Sequence, residues 1–537
     1  MSSPPSYPLH SRRSNVLARH GIVATSQPLA AQAGLQILQQ GGNAVDAAVA
    51  TAVALNVVEP MSTGIGGDLF ALVWPAREKR LRALNASGRA PYAATVERLR
   101  SMGYTSMPTT GMLPVTVPGA ADGWERLVRT CGRLSLAQVM APAIRYAEEG
   151  FPVSEVIAAN WAGGQHKLVA HPSGAAYLIN GCAPCMGEIW RQPELAETLR
   201  QVAEGGAKAF YRGKIAEKIV AFSQANGGLF SLEDLADHTS TWVEPIYTDY
   251  HGVRLYECPP NGQGIVALMA LNILAGYDLV SLAHNSPQYL HLIVEALKLA
   301  FADAHYHVTD PEKYPVPVAQ LLSLAYAERR RKEIALDHAA EVRHPGLPSQ
   351  GDTVYLAAAD GEGNAVSLIN SLYHGFGSGM VVEGTGVILQ NRGASFSLDS
   401  RHPNHIAPHK RPYHTIIPAM VMGQDGKPLY CYGVMGGHMQ PQGHVQVLLN
   451  LVDFGMSPQE ALDAPRVYWE RGKEVLIEPG LGEETRQALL KLGHNVASFS
   501  EVSIGHFGGG QVIRIDPETG VLCAGSEPRK DGCAVGY

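Results

Sequence analysis

The sequence predicts an α+β protein whose helix-rich first part precedes a strand-rich last third. Three observations carry this. Residues 44–59 form a run of helical length that is apolar nearly all round, as in a helix buried on several sides. Residues 351–379, GDTVYLAAADGEGNAVSLINSLYHGFGSG, hold two β-compatible runs, 354–359 and 365–369, joined by a Gly/Asp/Asn-rich connection. That pattern reads as a hairpin. From residue 353 onward the texture changes to short β-runs and glycine turns, the best internal boundary in the chain.

A length of 537 residues exceeds one typical core, so two large lobes or one elaborated multilayer domain are expected. Apolar content of 46% with 17% charged residues is that of a globular protein with much buried surface. A net charge of −7 gives no electrostatic reason to expect nucleic acid or an anionic membrane as partner. The Pro/Ser-rich residues 1–20 have no apolar core of signal-peptide length, and no segment reaches the span of a membrane helix. A flexible N-terminal arm over 1–20 and a cytoplasmic location are the expectations. Seven cysteines in so long a chain do not suggest a disulfide framework. Cys182 and Cys185 have redox or zinc spacing, with no second pair or nearby histidine to complete a tetrahedral site.

Taken in order, residues 21–33 read as a short strand and turn, followed by a helix over 30–40 that Gly41-Gly42 stops. Asn43 opens the apolar helix and Pro60 ends it. The cluster Gly64-Ile65-Gly66-Gly67-Asp68 runs into a strand over 69–74. It is no dinucleotide fingerprint, because no strand precedes it and no helix follows. Residues 80–91 look like a strand and turn, and 114–124 feed a helical region reaching about Gly150. The middle, 190–310, reads as mostly helical, with Ser231 as an N-cap and Ser286-Pro287 starting a helix. Asn364 in the hairpin connection reads as a turn residue that tolerates positive φ.

Several motifs, in order, resemble the γ-glutamyltransferase family. They are GGNAVDAAVATAVALNVVEPMSTGIGGDLF (41–70), PVTVPGAADGW (114–124), NGGLFSLEDLADH (226–238), YECPPNGQG (256–264) and EALKLAFADAHYHVTDP (295–311). The match continues through DTVYLAAADGEGNAVSLINS, VILQNRGASFS (387–397), KRPYHTIIP (410–418) and GVMGG (433–437), and spans essentially the whole chain after the arm. The resemblance implies an N-terminal-nucleophile hydrolase with a four-layer αββα sandwich, made as one precursor and self-cleaved between Asp352 and Thr353. A large subunit (21–352) and a small one (353–537) would then form a heterodimer, with further pairing left open. No cofactor, nucleic acid or membrane partner is implied.

The chemistry explains the threonine. Once freed, Thr353 carries a hydroxyl nucleophile and an α-amine on one residue, and an unperturbed α-amine titrates at about 7.7–8.0, low enough to serve as general base. By the resemblance, Gly436 and Gly437 supply backbone N–H groups to the oxyanion, and Ser371 stands where a second threonine supports the nucleophile. The substrate clamp departs from the family. Ser87 replaces its carboxylate-binding arginine, with Arg89 two residues on, and Ser395 falls on its amine-binding aspartate. His414 and Thr415 replace paired serines, Tyr373 an asparagine, and Arg392 a neutral amide. The segment between Ser397 and Lys410 is short, implying an open pocket.

The first reading is therefore a small-molecule amidase that cleaves γ-glutamyl amides such as glutathione through an acyl-Thr353 intermediate, with hydrolysis as the dominant fate. The alternative is an amidase for a non-glutamyl carboxylate amide, like oxamate amidohydrolase or the cephalosporin acylases. Further alternatives keep the fold without catalysis, or bind a metal through His402, His405, His409 and His414. Prolines 403, 408 and 412 break any helix that would align those histidines.

Overall fold

The computed structural model describes residues 13–341 and 352–537, apart from the side chains of Asp352 and Thr353. Among the described residues, two seven-stranded antiparallel sheets make up the centre. The first runs Cys533–Gly536, Gly21–Thr25, Asp352–Asp360, Ala365–Tyr373, Asp68–Trp74, Arg82–Ala86, Thr241–Val243. The second runs Val16–Ala18, Leu522–Ser526, Gly509–Ile515, Pro428–Met435, Ala419–Met422, Val253–Glu257, Ile246–Tyr250.

Side-chain alternation stacks these sheets face to face. In Asp352–Asp360, Tyr355, Ala357 and Ala359 join Phe70, Leu72, Met420 and Ile513 in a core between the sheets. Val354, Leu356 and Ala358 point the other way, into a core shared with the helices Pro28–Gln39, Ala44–Val58 and Ala120–Cys131. Strand Ala419–Met422 divides likewise, with Met420 and Met422 facing the first sheet. Ala419 and Val421 face the helices Gly264–Leu274, Pro287–His307 and Met439–Val452. Because both faces of the central strands are buried, those strands read as continuous apolar runs without polar alternation. The layers are helix, sheet, sheet, helix.

Local chemistry explains the helix starts. Asn43 caps Ala44–Val58 by accepting from the Val45 and Asp46 N–H groups, while Asp46 returns a bond to the Asn43 N–H. All fifteen residues of that helix are buried. Gln27 caps Pro28–Gln39, so this helix begins two residues before the apolar run suggests.

Two readings are corrected and a third refined. The middle is mostly helical, as expected, and also holds the strands Thr241–Val243, Ile246–Tyr250 and Val253–Glu257, where buried Thr248 and Tyr250 alternate with exposed Tyr247 and Asp249. That is a period of two, hidden inside a helical stretch. Within the expected arm, whose residues 1–12 lie outside the described residues, Val16–Ala18 is an edge strand paired with Leu522–Ala524. Arg13 donates there to the Glu527 and Gly532 carbonyls. In the hairpin connection Gly363, with φ 86°, takes the left-handed conformation in place of Asn364. Asn364 instead bonds the Asp360 carboxylate and accepts from the Ala76 N–H.

Residues 21–352 and 353–537 each contribute strands to both sheets. They are interleaved parts of one sandwich.

Candidate active site

The backbone of Asp352 and Thr353 lies at one end of the first sheet's two central strands. Asp352 pairs with Tyr373 and Val354 with Asn370, and the register shifts between them, so Thr353 sits at an irregularity beside Ser371. On the other side Ser371 pairs with Asp68. The side chains of Asp352 and Thr353, the expected cleavage site, lie outside the described residues.

Ser371 Oγ accepts from the Tyr373 N–H at 2.8 Å. Tyr373 holds φ 82°, a left-handed conformation costly for a non-glycine residue. It brings the ring under Arg392, whose guanidinium carbon is 4.1 Å from the ring centroid. Arg392 donates from Nη1 to Thr415 Oγ1 at 2.6 Å and from Nη2 to Ser371 Oγ at 3.3 Å. It is 0% exposed, its Nε has no partner, and no carboxylate of a described residue lies within ion-pair distance. Burial lowers its pKa to about 10, partly opposed by Tyr373 and Asp68, so it stays charged at neutral pH.

Asp68 lies behind this wall, fully buried. Its Oδ1 accepts from the Gly88 N–H at 3.0 Å, the Gly119 N–H at 3.1 Å and Gln390 Nε2 at 2.9 Å. Its Oδ2 accepts from His414 Nε2 at 3.0 Å. His414 Nδ1 accepts from the Ile416 N–H at 3.3 Å, which places the imidazole proton on Nε2. Burial holds His414 neutral, well below the usual histidine range, and Arg392 and Arg411 push the same way. Burial raises the Asp68 carboxyl to about 6, against the lowering effect of Arg392 and the donors.

The sign of the resulting pH dependence follows. The folded pKa lies above the unfolded one, so Asp68 contributes stability below about pH 4 that is lost as pH rises through about 6. Asp68→Asn removes this component. The stability of the variant relative to wild type is expected to rise by up to about 3 kcal/mol between pH 4 and 6.5 and then level off. Urea denaturation midpoints across that range measure it.

Gly436 and Gly437 join strand Pro428–Met435 to helix Met439–Val452 with φ of 122° and 59°, where any side chain would be strained. A Cβ on Gly436 would also lie 3.1 Å from Gly508 Cα. Among the described residues neither of the two N–H groups donates a hydrogen bond. Gln263 Nε2 donates to both the Gly437 and Thr415 carbonyls. A continuous chain of contacts thus runs from Ser371 through Arg392, Thr415 and Gln263 to the glycine pair.

Other positions singled out in the sequence have different surroundings. Ser87 Oγ donates to Asn85 Oδ1 at 2.7 Å within its own turn, and its carbonyl accepts from Arg411. Arg89 pairs with Glu312 at 3.0 Å, leaving its Nε and Nη1 without partners. Ser395 Oγ is buried and unpartnered. The four histidines of 402–414 do not converge. His405 Nδ1 lies 2.7 Å from the His402 carbonyl, His409 stacks on Tyr92, and His414 bonds Asp68. Among the described residues the one cluster with metal-ligand geometry is His291, Glu295 and His494. The sequence reading missed Asp68, Gln390 and Gln263. For Asp68 a signal existed, a lone acid between a glycine cluster and an apolar strand.

A helix–sheet–sheet–helix sandwich of this kind is the architecture of the N-terminal-nucleophile hydrolase class, enzymes of amide chemistry. The chain belongs to the gamma-glutamyltranspeptidase family, whose model matches residues 30–537. It is 41% identical over 530 residues to the glutathione hydrolase-like YwrD proenzyme of Bacillus subtilis (strain 168), covering 97% of this chain and 99% of the relative. It is 37% identical to the oxamate amidohydrolase proenzyme of Klebsiella pneumoniae subsp. pneumoniae, covering 98% and 100%. A crystal structure of cephalosporin acylase from Bacillus halodurans superposes with TM-score 0.93 at 50% identity, covering 100% of this chain and 99% of that one. Among the described residues no helix is long and apolar enough to cross a membrane.

Proposed function

We propose that the chain is a self-cleaving amidase for amides whose acyl half carries a carboxylate and no α-ammonium. In maturation the Thr353 hydroxyl attacks the Asp352 carbonyl, the Asp352–Thr353 C–N bond breaks to free the α-amine and leave an ester, and water hydrolyses that ester to release the Asp352 carboxylate and the Thr353 hydroxyl. In turnover the hydroxyl adds to the substrate carbonyl while its proton passes to the α-amine. The Gly436 and Gly437 N–H groups receive the oxyanion. Collapse returns the proton to the departing amine, and water then cleaves the ester. Ser371 supports the nucleophile, and Arg392, Tyr373, His414 and Thr415 form the acyl wall, with Ser87, Arg89 and Ser395 at its margin.

Arg392 carries the substrate half of this reading. A fully buried guanidinium without a carboxylate partner is costly, and a substrate carboxylate would complete it. A γ-glutamyl donor would bring an α-ammonium beside that charge and would need an acid to receive it. The family's position for that acid is Ser395 here, and Asp68 already serves four donors. The names of the relatives include both substrate types, and the site chemistry supports the carboxylate without an α-ammonium.

Glutaryl-p-nitroanilide and γ-glutamyl-p-nitroanilide differ only by the α-ammonium. The glutaryl compound, or oxamate, is expected to show kcat/KM at least about tenfold above the γ-glutamyl compound, roughly 1.4 kcal/mol of discrimination. A γ-glutamyl compound as the best of the three would sink the proposal.

A further inference from the structure

We infer that Gln263 is a positioning residue that locks the Gly436-Gly437 turn to the acyl wall at Thr415. It is fully buried and immediately precedes helix Gly264–Leu274. All four hydrogen-bonding positions of its amide are used. Nε2 donates to the Thr415 carbonyl at 2.6 Å and to the Gly437 carbonyl at 2.8 Å. Oε1 accepts from the Tyr413 hydroxyl at 2.9 Å and faces His438 Nδ1 at 3.2 Å. The orientation is forced, because two carbonyl oxygens can only accept and must face the NH₂. The Gln263 backbone N–H also donates to the His414 carbonyl at 2.9 Å, so one residue holds three successive parts of the site.

The turn needs such a brace. Two consecutive glycines in the left-handed region have no side chains to fix their peptide planes, and glycine is the softest point in a backbone. Oxyanion donors act only when held within about 2.7–3.1 Å of the charge that develops. Gln263 bonds the Gly437 carbonyl directly, fixing the plane that follows the second donor. Through Thr415, which receives Arg392, it sets that donor at a constant spacing from the carboxylate-binding wall. The inference rests on the reading of Gly436 and Gly437 as the oxyanion donors.

The test uses cleaved, purified full-chain protein and two probes. The first is 4-boronobutanoic acid, to which the Thr353 oxygen adds as its proton passes to the α-amine, giving a tetrahedral boronate with an oxygen at the oxyanion position. The second is butanoate, whose single carboxylate occupies the acyl wall and which carries no oxygen at the oxyanion position. Gln263→Met removes all four bonds at similar volume. It is expected to raise the inhibition constant of the boronate about 10- to 100-fold, leaving that of butanoate within about threefold. Tyr413→Phe, which removes one donor to Gln263, should show the same divergence at smaller size. It tests the idea alone if Gln263→Met does not fold. The double variant should be no worse than Gln263→Met, since both act through one contact set. Equal weakening of both probes, or weakening of neither, overturns the inference while leaving the function standing. A wild-type enzyme that the boronate does not inhibit overturns the oxyanion reading and this inference with it.

Discussion

Thr353→Ala is expected to run as a single band of 57.5 kDa on a denaturing gel and to lose amide hydrolysis by at least about 10⁴-fold. Wild-type protein should instead give fragments of 352 and 185 residues, the smaller with a mass beginning at Thr353. Both effects have one cause. On the proposed mechanism the hydroxyl that opens the Asp352–Thr353 bond is the hydroxyl that later attacks substrate, and the base for the second step is the amine released by the first. Alanine removes the nucleophile and leaves the amine locked in a peptide. Thr353→Ser keeps a hydroxyl and should still process. An uncut wild-type chain with full activity would break the link between the steps.

The position of Thr353 favours this economy of parts. It lies at the start of a central strand that Ala365–Tyr373 flanks along its length and Gly21–Thr25 flanks from Leu356 onward. Residues on either side of the proposed cut share both sheets, so that cut would free an amine without freeing a domain. The register shift between Asp352 and Val354 falls at the bond proposed for cleavage, where a regular ladder would leave the least room for a tetrahedral intermediate.

Much of this frame was legible in the residues. The helix over 44–58 announced itself through its cap and its all-round apolar surface, and the hairpin through its turn. The strands over 241–257 did not, because strands of three to five residues give only two or three alternations each. Ser371, Tyr373, Arg392 and Thr415 lie together, joined by hydrogen bonds and a ring contact that their spacing in the sequence does not show. The grip of Asp68 on four separate segments was invisible, since sequence spacing cannot show that residues 88, 119, 390 and 414 converge. Gln263 was hidden for the same reason, as a neutral side chain whose role depends entirely on what it meets.

Arg392→Gln is expected to lower kcat/KM for glutaryl-p-nitroanilide by about 10²- to 10³-fold, in line with truncating one side of a buried charge pair. The γ-glutamyl compound should lose less, narrowing or reversing the preference. Stability of the unliganded protein should move the opposite way. The guanidinium lies buried without a carboxylate, a cost that a neutral amide of similar reach avoids while still able to bond Thr415 and Ser371. Denaturation midpoints equal to or above wild type are therefore expected alongside the loss of turnover. Arg392→Lys separates charge from shape, since a lysine keeps the point charge but lacks the flat fork that bonds two hydroxyls and stacks on Tyr373. It should recover part of the glutaryl activity. Arg392 also lowers the Asp68 carboxyl, so its removal should carry Asp68 above about 6 and move the acid-side stability transition of this pair to higher pH. A variant with lost activity, lost stability and an unmoved transition would show that Arg392 is only a strut in the fold.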